Sequence, residues 1–171
     1  MTGRAVALAA MAVGIVLVVF TMTAKPMPRL LWNASASVPI GLYGVEPVGR
    51  LAVADLVVAA APAPLATMFA RRDYLPLGVP LIKRILALPG QSVCRNGLLI
   101  TVDGKAVGTA LAYDSRGRAL PVWQGCRRIA RDEIFLMNVD AAASLHGRYF
   151  GPIPITAIVG RAFPLWTSAR Q

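Results

Sequence analysis

The longest apolar run in the chain is Ala5 to Ala24, twenty consecutive residues without a charge, bounded by Arg4 and Lys25. At about 1.5 Å of rise per residue, a helix of that length spans roughly 30 Å, the thickness of a bilayer's hydrocarbon core. A removed export signal has a shorter apolar stretch and small residues three and one positions before the cut. A cut after Ala24 sets Met22 three residues before it, so the segment is expected to persist as an anchor. Beyond Ala24 the pattern changes. Lys25–Asn33, with Pro26 and Pro28, reads as a linker, and short apolar runs broken by Gly and Pro follow. Ile40–Val45, Leu51–Ala59, Leu81–Leu88, Leu98–Val107, Ile129–Val139 and Ile155–Trp166 are expected strands, and Pro64–Arg72 one or two helical turns. Asp103-Gly104, between two β-prone runs, is a hairpin-turn signal. The fold class expected is mainly β, an antiparallel barrel-like domain behind one N-terminal transmembrane helix. The chain divides into a tail and anchor over 1–24, a linker over 25–33 and an exported domain over 34–171.

Charge narrows the choice of surroundings. The formal net charge is +10, from 18 Lys+Arg against 8 Asp+Glu. No basic run exceeds Arg71-Arg72 or Arg127-Arg128, and no basic helix carries interleaved aromatics, so nucleic acid is not the expected partner. A domain held against anionic headgroups accounts for the surplus better, since each basic group near such a surface gains about 1 kcal/mol. Trp32 suits a membrane interface, whereas Trp123 and Trp166 are expected in the core. Cys94 and Cys126, 32 residues apart, form no CxxC and have no His at ligand spacing, so no metal site and no cofactor is expected. A structural disulfide in an oxidising compartment is favoured over two buried thiols.

The chemistry-bearing residues are few. In VPLIKRILALPG a strand sets Leu81, Lys83, Ile85 and Ala87 on one face and Ile82, Arg84 and Leu86 on the other, so one cation must sit among apolar side chains. Burial disfavours the ammonium and makes a lysine a competent general base near neutral pH; the alternative is a lysine that snorkels to solvent. Ser37 lies in NASASVPIGLYG, where Pro39, Gly41 and Gly44 mark a turn entering a strand. The sole histidine is His146, and the acidic residues form no pair of the kind glycosidases or aspartic proteases use. A Ser-Lys dyad is then the economical arrangement.

Three blocks taken together, NASASVPIGLY, GVPLIKRILALPGQSVCRNG and RYFGPIPITAIVGRA, resemble the signal peptidase I superfamily, in its order and spacing over about a third of the chain. The nearest likeness is to the conjugative-transfer signal peptidases of TraF type. Housekeeping signal peptidases usually carry Met directly after the nucleophile, whereas Val38 and Pro39 follow Ser37 here. The resemblance implies Ser37 as nucleophile, Lys83 as general base, Ser35 as an oxyanion-hole hydroxyl beside the Ser37 N–H, and Ser144 as a serine that orients the lysine. The family often has Asp-Ser before the Arg-Tyr pair. This chain has His146-Gly147-Arg148-Tyr149, so Arg148 loses an acidic partner and no carboxylate role carries over. His146 is expected to be exposed.

The function expected is a membrane-anchored Ser-Lys endopeptidase, acting through an acyl-enzyme, that removes leader peptides or matures a pilin precursor for conjugative transfer. The competing reading is a non-catalytic pilus-assembly or binding component of the same fold. Ser37 lies 13 residues beyond the anchor, within about 43 Å of the bilayer at roughly 3.3 Å per residue, in reach of a precursor still held by its leader. The expected partners are that tethered precursor, pilin or secreted protein, and the lipid bilayer. The expected location is a bacterial inner membrane, single-pass, with the domain on the periplasmic side. Hydrolysis versus pilin cyclisation and the oligomeric state are left open.

Overall fold

A computed structural model describes residues 3–23, 28–141 and 144–168. The end of the expected anchor, Ala24, and the first three linker positions, 25–27, lie outside the described residues. Helix α1 (Gly3–Thr23) contains an 18-residue window, Gly3–Phe20, of mean hydropathy 2.3, none of it buried against the rest of the chain. Its apolar side chains point outward on every side, which suits a lipid surround and no other part of this molecule.

The domain is a curled antiparallel sheet carrying a second, smaller one. Strand β1 (Leu30–Asn33) pairs with β2 (Gly41–Glu46), so the sheet begins inside the segment read as linker. β3 (Leu56–Ala59) and β4 (Leu81–Ala87) pair with each other and are joined through α2 (Ala63–Arg71), which has Pro62 at its N-cap and Pro64 in its first turn. A small sheet follows: β5 (Ser92–Asn96), β6 (Leu99–Val102), β7 (Lys105–Thr109) and β8 (Gly125–Arg128), in the order β7-β6-β5-β8. The chain then returns through β9 (Glu133–Leu136), α3 (Gly147–Phe150), β10 (Ile153–Pro154) and β11 (Ile158–Thr167), giving the seven-stranded order β1-β2-β11-β3-β4-β9-β10.

The Asp103-Gly104 turn forms as expected: both residues have positive φ, 48° and 77°, the pair of left-handed conformations that a two-residue hairpin requires. Cys94 and Cys126 face each other across β5 and β8 and are bridged. The β3–β4 pair buries both faces. Val58 and Ile82 join Val38, Tyr43, Val45 and Ala162 on one side, while Val57 and Ile85 join Ala59, Ile134, Leu136 and Ile158 on the other. Of the two cations on β4, Arg84 finds an opening to solvent, while Lys83 shares its side of the strand with the buried Ile85 and Ala87. Trp123 packs edge-on against Phe135, as a core tryptophan should. Trp166 does not follow suit. It is 67% exposed and lies against Trp32, itself 55% exposed, with ring centroids 5.9 Å apart. An irregularity in the β11 register between Pro164 and Trp166 carries it onto the uncovered face of the β1-β2-β11 edge.

Candidate active site

The turn between β1 and β2 is built around Asn33 and Tyr43, both buried. Asn33 Nδ2 donates to the carbonyls of Ser35, Val38 and Pro39 at 2.8, 3.1 and 3.1 Å, and its Oδ1 accepts from the Ser35 N–H at 3.1 Å and the Ser35 hydroxyl at 2.9 Å. The Tyr43 hydroxyl donates to the Pro39 carbonyl at 2.6 Å. The loop is thus held from both ends, and Ser37 sits half-buried on it with its Oγ 2.9 Å from Ser35 Oγ. Since Ser35 gives its one hydroxyl proton to Asn33, Ser37 is the donor between the two serines.

Of the two cations on β4, Lys83 is the one buried, at 4% exposure, while Arg84 faces solvent. Lys83 Nζ donates to Ser144 Oγ at 2.7 Å. Among the described residues no hydrogen bond joins Lys83 to Ser37. Each is engaged by a neighbouring serine, and both open onto one cleft of about 490 Å³ that Ser35, Ser144, Leu81 and Leu145 also line. Phe69 and Tyr74, from α2 and the turn after it, wall the opposite side, with Phe69 set edge-on against Phe150 of α3 at 5.3 Å. Burial, and secondly the positive charge of Arg148, lower the Lys83 pKa from 10.5 to about 8. About a tenth of the side chain is then neutral at pH 7, against fewer than about one in a thousand for an ordinary lysine.

Behind Lys83 the chain holds a second cation. Arg148 is 1% exposed, with Nη1 donating to the Thr109 carbonyl at 2.6 Å and Nη2 to that of Asn138 at 3.2 Å. His146 is buried too, at 3% exposure, which overturns the expectation that it is exposed. The cause is α3. Gly147 packs so closely on β9 that a Cβ there would lie 2.6 Å from the Phe135 ring and 2.8 Å from the Leu136 carbonyl, drawing its neighbours inward. Burial first, then Arg148 and Lys83, lower the His146 pKa to about 2, so the imidazole is neutral. A neutral imidazole with so weak an affinity for protons is no general base at neutral pH, which removes the basis for a triad through His146.

Over residues 2–166 the chain matches the family described as signal peptidase, peptidase S26. The chain belongs to this signal peptidase family. It is 36% identical over 146 residues to the conjugal transfer protein TraF of Agrobacterium fabrum, covering 79% of this chain and 81% of that protein. It is 37% identical over 147 residues to the probable conjugal transfer protein TraF of Sinorhizobium fredii, covering 80% and 77%. Among solved structures, a signal peptidase I from Enterococcus faecalis aligns at 16% identity and a TM-score of 0.40, over 67% of this chain and 97% of that one. The chain is thus a signal peptidase-family domain behind one helix long and apolar enough to cross a membrane.

A further residue of the candidate site escaped the sequence reading. Asn138, 4% exposed, donates from Nδ2 to the Ser37 carbonyl at 2.8 Å and accepts at Oδ1 from the Arg84 N–H at 2.9 Å. It ties the serine loop to the strand that carries Lys83, across 101 residues of sequence. An asparagine in a loop gives no local sign of such a role; only its place ten residues before Arg148 marks the segment. Asn138→Ala unties the Ser37 carbonyl while leaving both Ser37 and Lys83 in the chain. The expected result is a fall of about 10- to 100-fold in kcat with KM little changed, measured on a precursor peptide. A loss confined to KM would show that Asn138 serves substrate binding instead.

Proposed function

We propose that this chain is a membrane-anchored serine endopeptidase that cuts the leader from a precursor held in the same bacterial inner membrane, on the periplasmic side. The names of its relatives favour a conjugal transfer system as the setting, and a pilin precursor is the substrate class we assign within it. The observation that carries the reading is a lysine buried to 4% exposure and opening onto the same cleft as a serine on a rigid turn. Burial of that kind costs stability, and its chemical return is an amine able to accept a proton near neutral pH.

In the first step Ser37 Oγ attacks the scissile carbonyl and its proton passes to the neutral Lys83 amine. The developing oxyanion is met by the Ser37 N–H and by the Ser35 hydroxyl, which turns from Asn33 Oδ1 to the substrate; such donors are each worth a few kcal/mol at the transition state. Collapse breaks the C–N bond, and the Lys83 ammonium returns the proton to the leaving amine. The acyl group then rests on Ser37 as an ester until water, deprotonated by Lys83, releases it. Ser144 keeps the amine in place through both halves of the cycle. The apolar lining from Leu81, Phe69, Leu75 and Leu145 accepts small uncharged side chains before the cut bond.

The test is precursor processing in reconstituted membranes, followed by mass spectrometry of both products. The wild-type chain is expected to release a leader and a mature protein, and Ser37→Ala to release neither while still retaining the precursor on affinity capture. Retention by the wild type without cleavage would favour the non-catalytic assembly component. Cleavage by Ser37→Ala at the wild-type rate would remove Ser37 from the mechanism.

A further inference from the structure

The arm between β7 and β8, residues 110–124, leaves the small sheet and reaches the wall of the cleft. That wall begins where α2 ends. The Asp73 N–H donates to the Ala70 carbonyl at 3.2 Å and the Tyr74 N–H to that of Phe69 at 2.9 Å, and Asp73 takes a positive φ of 54°. In this kind of helix ending a left-handed residue turns the chain and lays the next side chain back toward the last helical turn. Tyr74 and Phe69 accordingly line, on the same wall, the cleft onto which Ser37 and Lys83 open.

The arm fixes Tyr74 from outside the helix. Asp114 sits in a tight turn of the arm, its Oδ1 accepting from the N–H groups of Arg116 and Arg118 at 2.9 and 2.8 Å. Its Oδ2 accepts from the Tyr74 hydroxyl at 2.5 Å and from Arg118 Nε at 2.7 Å, and the Arg118 guanidinium lies 4.8 Å from the Tyr74 ring centroid. The ring also packs on Ala110, Leu120 and Tyr149. Two further ties join the same segments: Arg72 Nη1 donates to the Ala119 carbonyl at 2.7 Å, and Arg116 meets Asp73 at 3.3 Å. Those two are exposed to water and add little. The Asp114 side chain is 8% exposed, so its bond to Tyr74 is a shielded, charge-assisted one of the strong kind. We propose that Tyr74 is a specificity-determining residue of the cleft and that Asp114 is the positioning residue that holds it there. A helix end packed only by apolar contacts gives way to a bulky substrate side chain; a ring pinned at its hydroxyl to a carboxylate 40 residues away in sequence does not. The inference rests on the proposed peptidase reading and names the residue that makes its cleft accept small side chains.

The test uses precursor peptides with Ala, Val or Leu at the residue before the cut bond or two residues further back, positions that face the same way in an extended strand. Cleavage by the full chain in detergent micelles gives kcat/KM for each peptide. Fluorescence anisotropy gives the affinity of the same peptides on a Ser37→Ala background. One methylene in an apolar pocket is worth roughly 10- to 200-fold in discrimination. Tyr74→Ala is therefore expected to raise the Leu-to-Ala ratio at least about tenfold at one of the two positions. Tyr74→Phe keeps the ring and loses the tie, and Asp114→Asn weakens the same tie from the other side. Each is expected to raise the ratio about threefold, and the two together no further than either alone, since they remove one interaction. A ratio unmoved at both positions in Tyr74→Ala, or rates that fall alike for every peptide, overturns the inference. If Tyr74→Ala does not fold, the two milder variants decide, and an unmoved ratio in both overturns it. An unmoved ratio in Asp114→Asn alone overturns the role given to Asp114. Binding ratios that shift as expected in a protein that cuts none of the peptides would end the peptidase reading and leave Tyr74 in its role. Peptides neither cut nor bound overturn both.

Discussion

Replacing Lys83 with methionine is expected to lower precursor cleavage by at least about a thousandfold while leaving the fold intact or more stable. The two readouts move in opposite directions for one reason. Methionine fits the space among Leu81, Ile85 and the cleft wall but brings no charge to desolvate and no lone pair to accept a proton. In the wild type the folded chain binds the Lys83 proton less tightly than the unfolded chain does, with a pKa of about 8 against 10.5. Between those values the unfolded state carries more protons, so the lysine's contribution to stability improves as pH rises from about 8 to 10.5. Below about 8 both states are protonated and the buried ammonium is a constant penalty, which Lys83→Met removes. Cleavage by the wild type should follow the neutral amine, rising about tenfold per pH unit below 8 and levelling above it. A Lys83→Met protein that melts earlier than wild type at pH 7 would mean that the lost activity reflects damage to the fold. A wild-type rate flat from pH 6 to 9 would separate the rate-limiting step from Lys83.

What could be read from sequence was what local chemistry dictates. The anchor follows from twenty uncharged residues, the hairpin from Asp103-Gly104, and the buried cation from alternation along β4, where one of two adjacent charges had to face inward. What escaped depends on contacts between distant segments. Strand β1 lies in a proline-containing stretch with no alternation long enough to notice, and exists because β2 offers it an edge. β5 and β8 are interrupted by polar and charged residues, and their pairing across a disulfide shows in neither strand separately. Trp166 sits at the end of an apolar run that continues past the part of the sheet with a covering layer, so the same pattern that places Ala162 inside leaves Trp166 outside. His146 is buried by the glycine beside it, and a lone polar residue in a loop carries no mark of that. In the site, Ser35, Ser37, Lys83 and Ser144 were named with the help of the family resemblance, whereas the residues that fix the serine loop were not. Asn138 and the backbone carbonyls around Arg148 act through tertiary hydrogen bonds, which leave little local trace in the sequence.

Arg148→Met is the second large effect expected, and it falls mainly on stability. Arg148 joins three parts of the molecule. Its Nη1 reaches the Thr109 carbonyl at the end of β7, its Nη2 reaches the Asn138 carbonyl, and its own carbonyl accepts from Arg95 Nη1 at 2.7 Å. Arg95, with no exposed surface, also donates to the carbonyls of Gly97 and Pro121, so the small sheet is fastened to α3 by guanidinium groups and not by apolar packing alone. Methionine occupies much of the arginine's stem volume but removes the guanidinium donors from the Thr109 and Asn138 carbonyls, the second of which keeps the Ala141 N–H at 3.3 Å. Each buried carbonyl left unmet costs about 1–3 kcal/mol, partly offset because a buried charge is also removed. A net loss of about 2–4 kcal/mol corresponds to a fall of roughly 5–15 °C in Tm for a domain of this size. Trp123, whose Nε1 donates to the Gly147 carbonyl at 3.0 Å, reports the loosening of α3 directly through its fluorescence. Arg148→Lys is expected to recover little of the loss, since a single ammonium cannot span two carbonyls as the planar fork does. The variants also separate fastening from field: lysine restores the charge near Lys83 without restoring the pair of hydrogen bonds. Arg148→Lys should therefore return the Lys83 titration toward the wild-type range while the melting temperature stays low. Recovery of both together would mean that the charge of Arg148, and not its geometry, holds the two sheets in register.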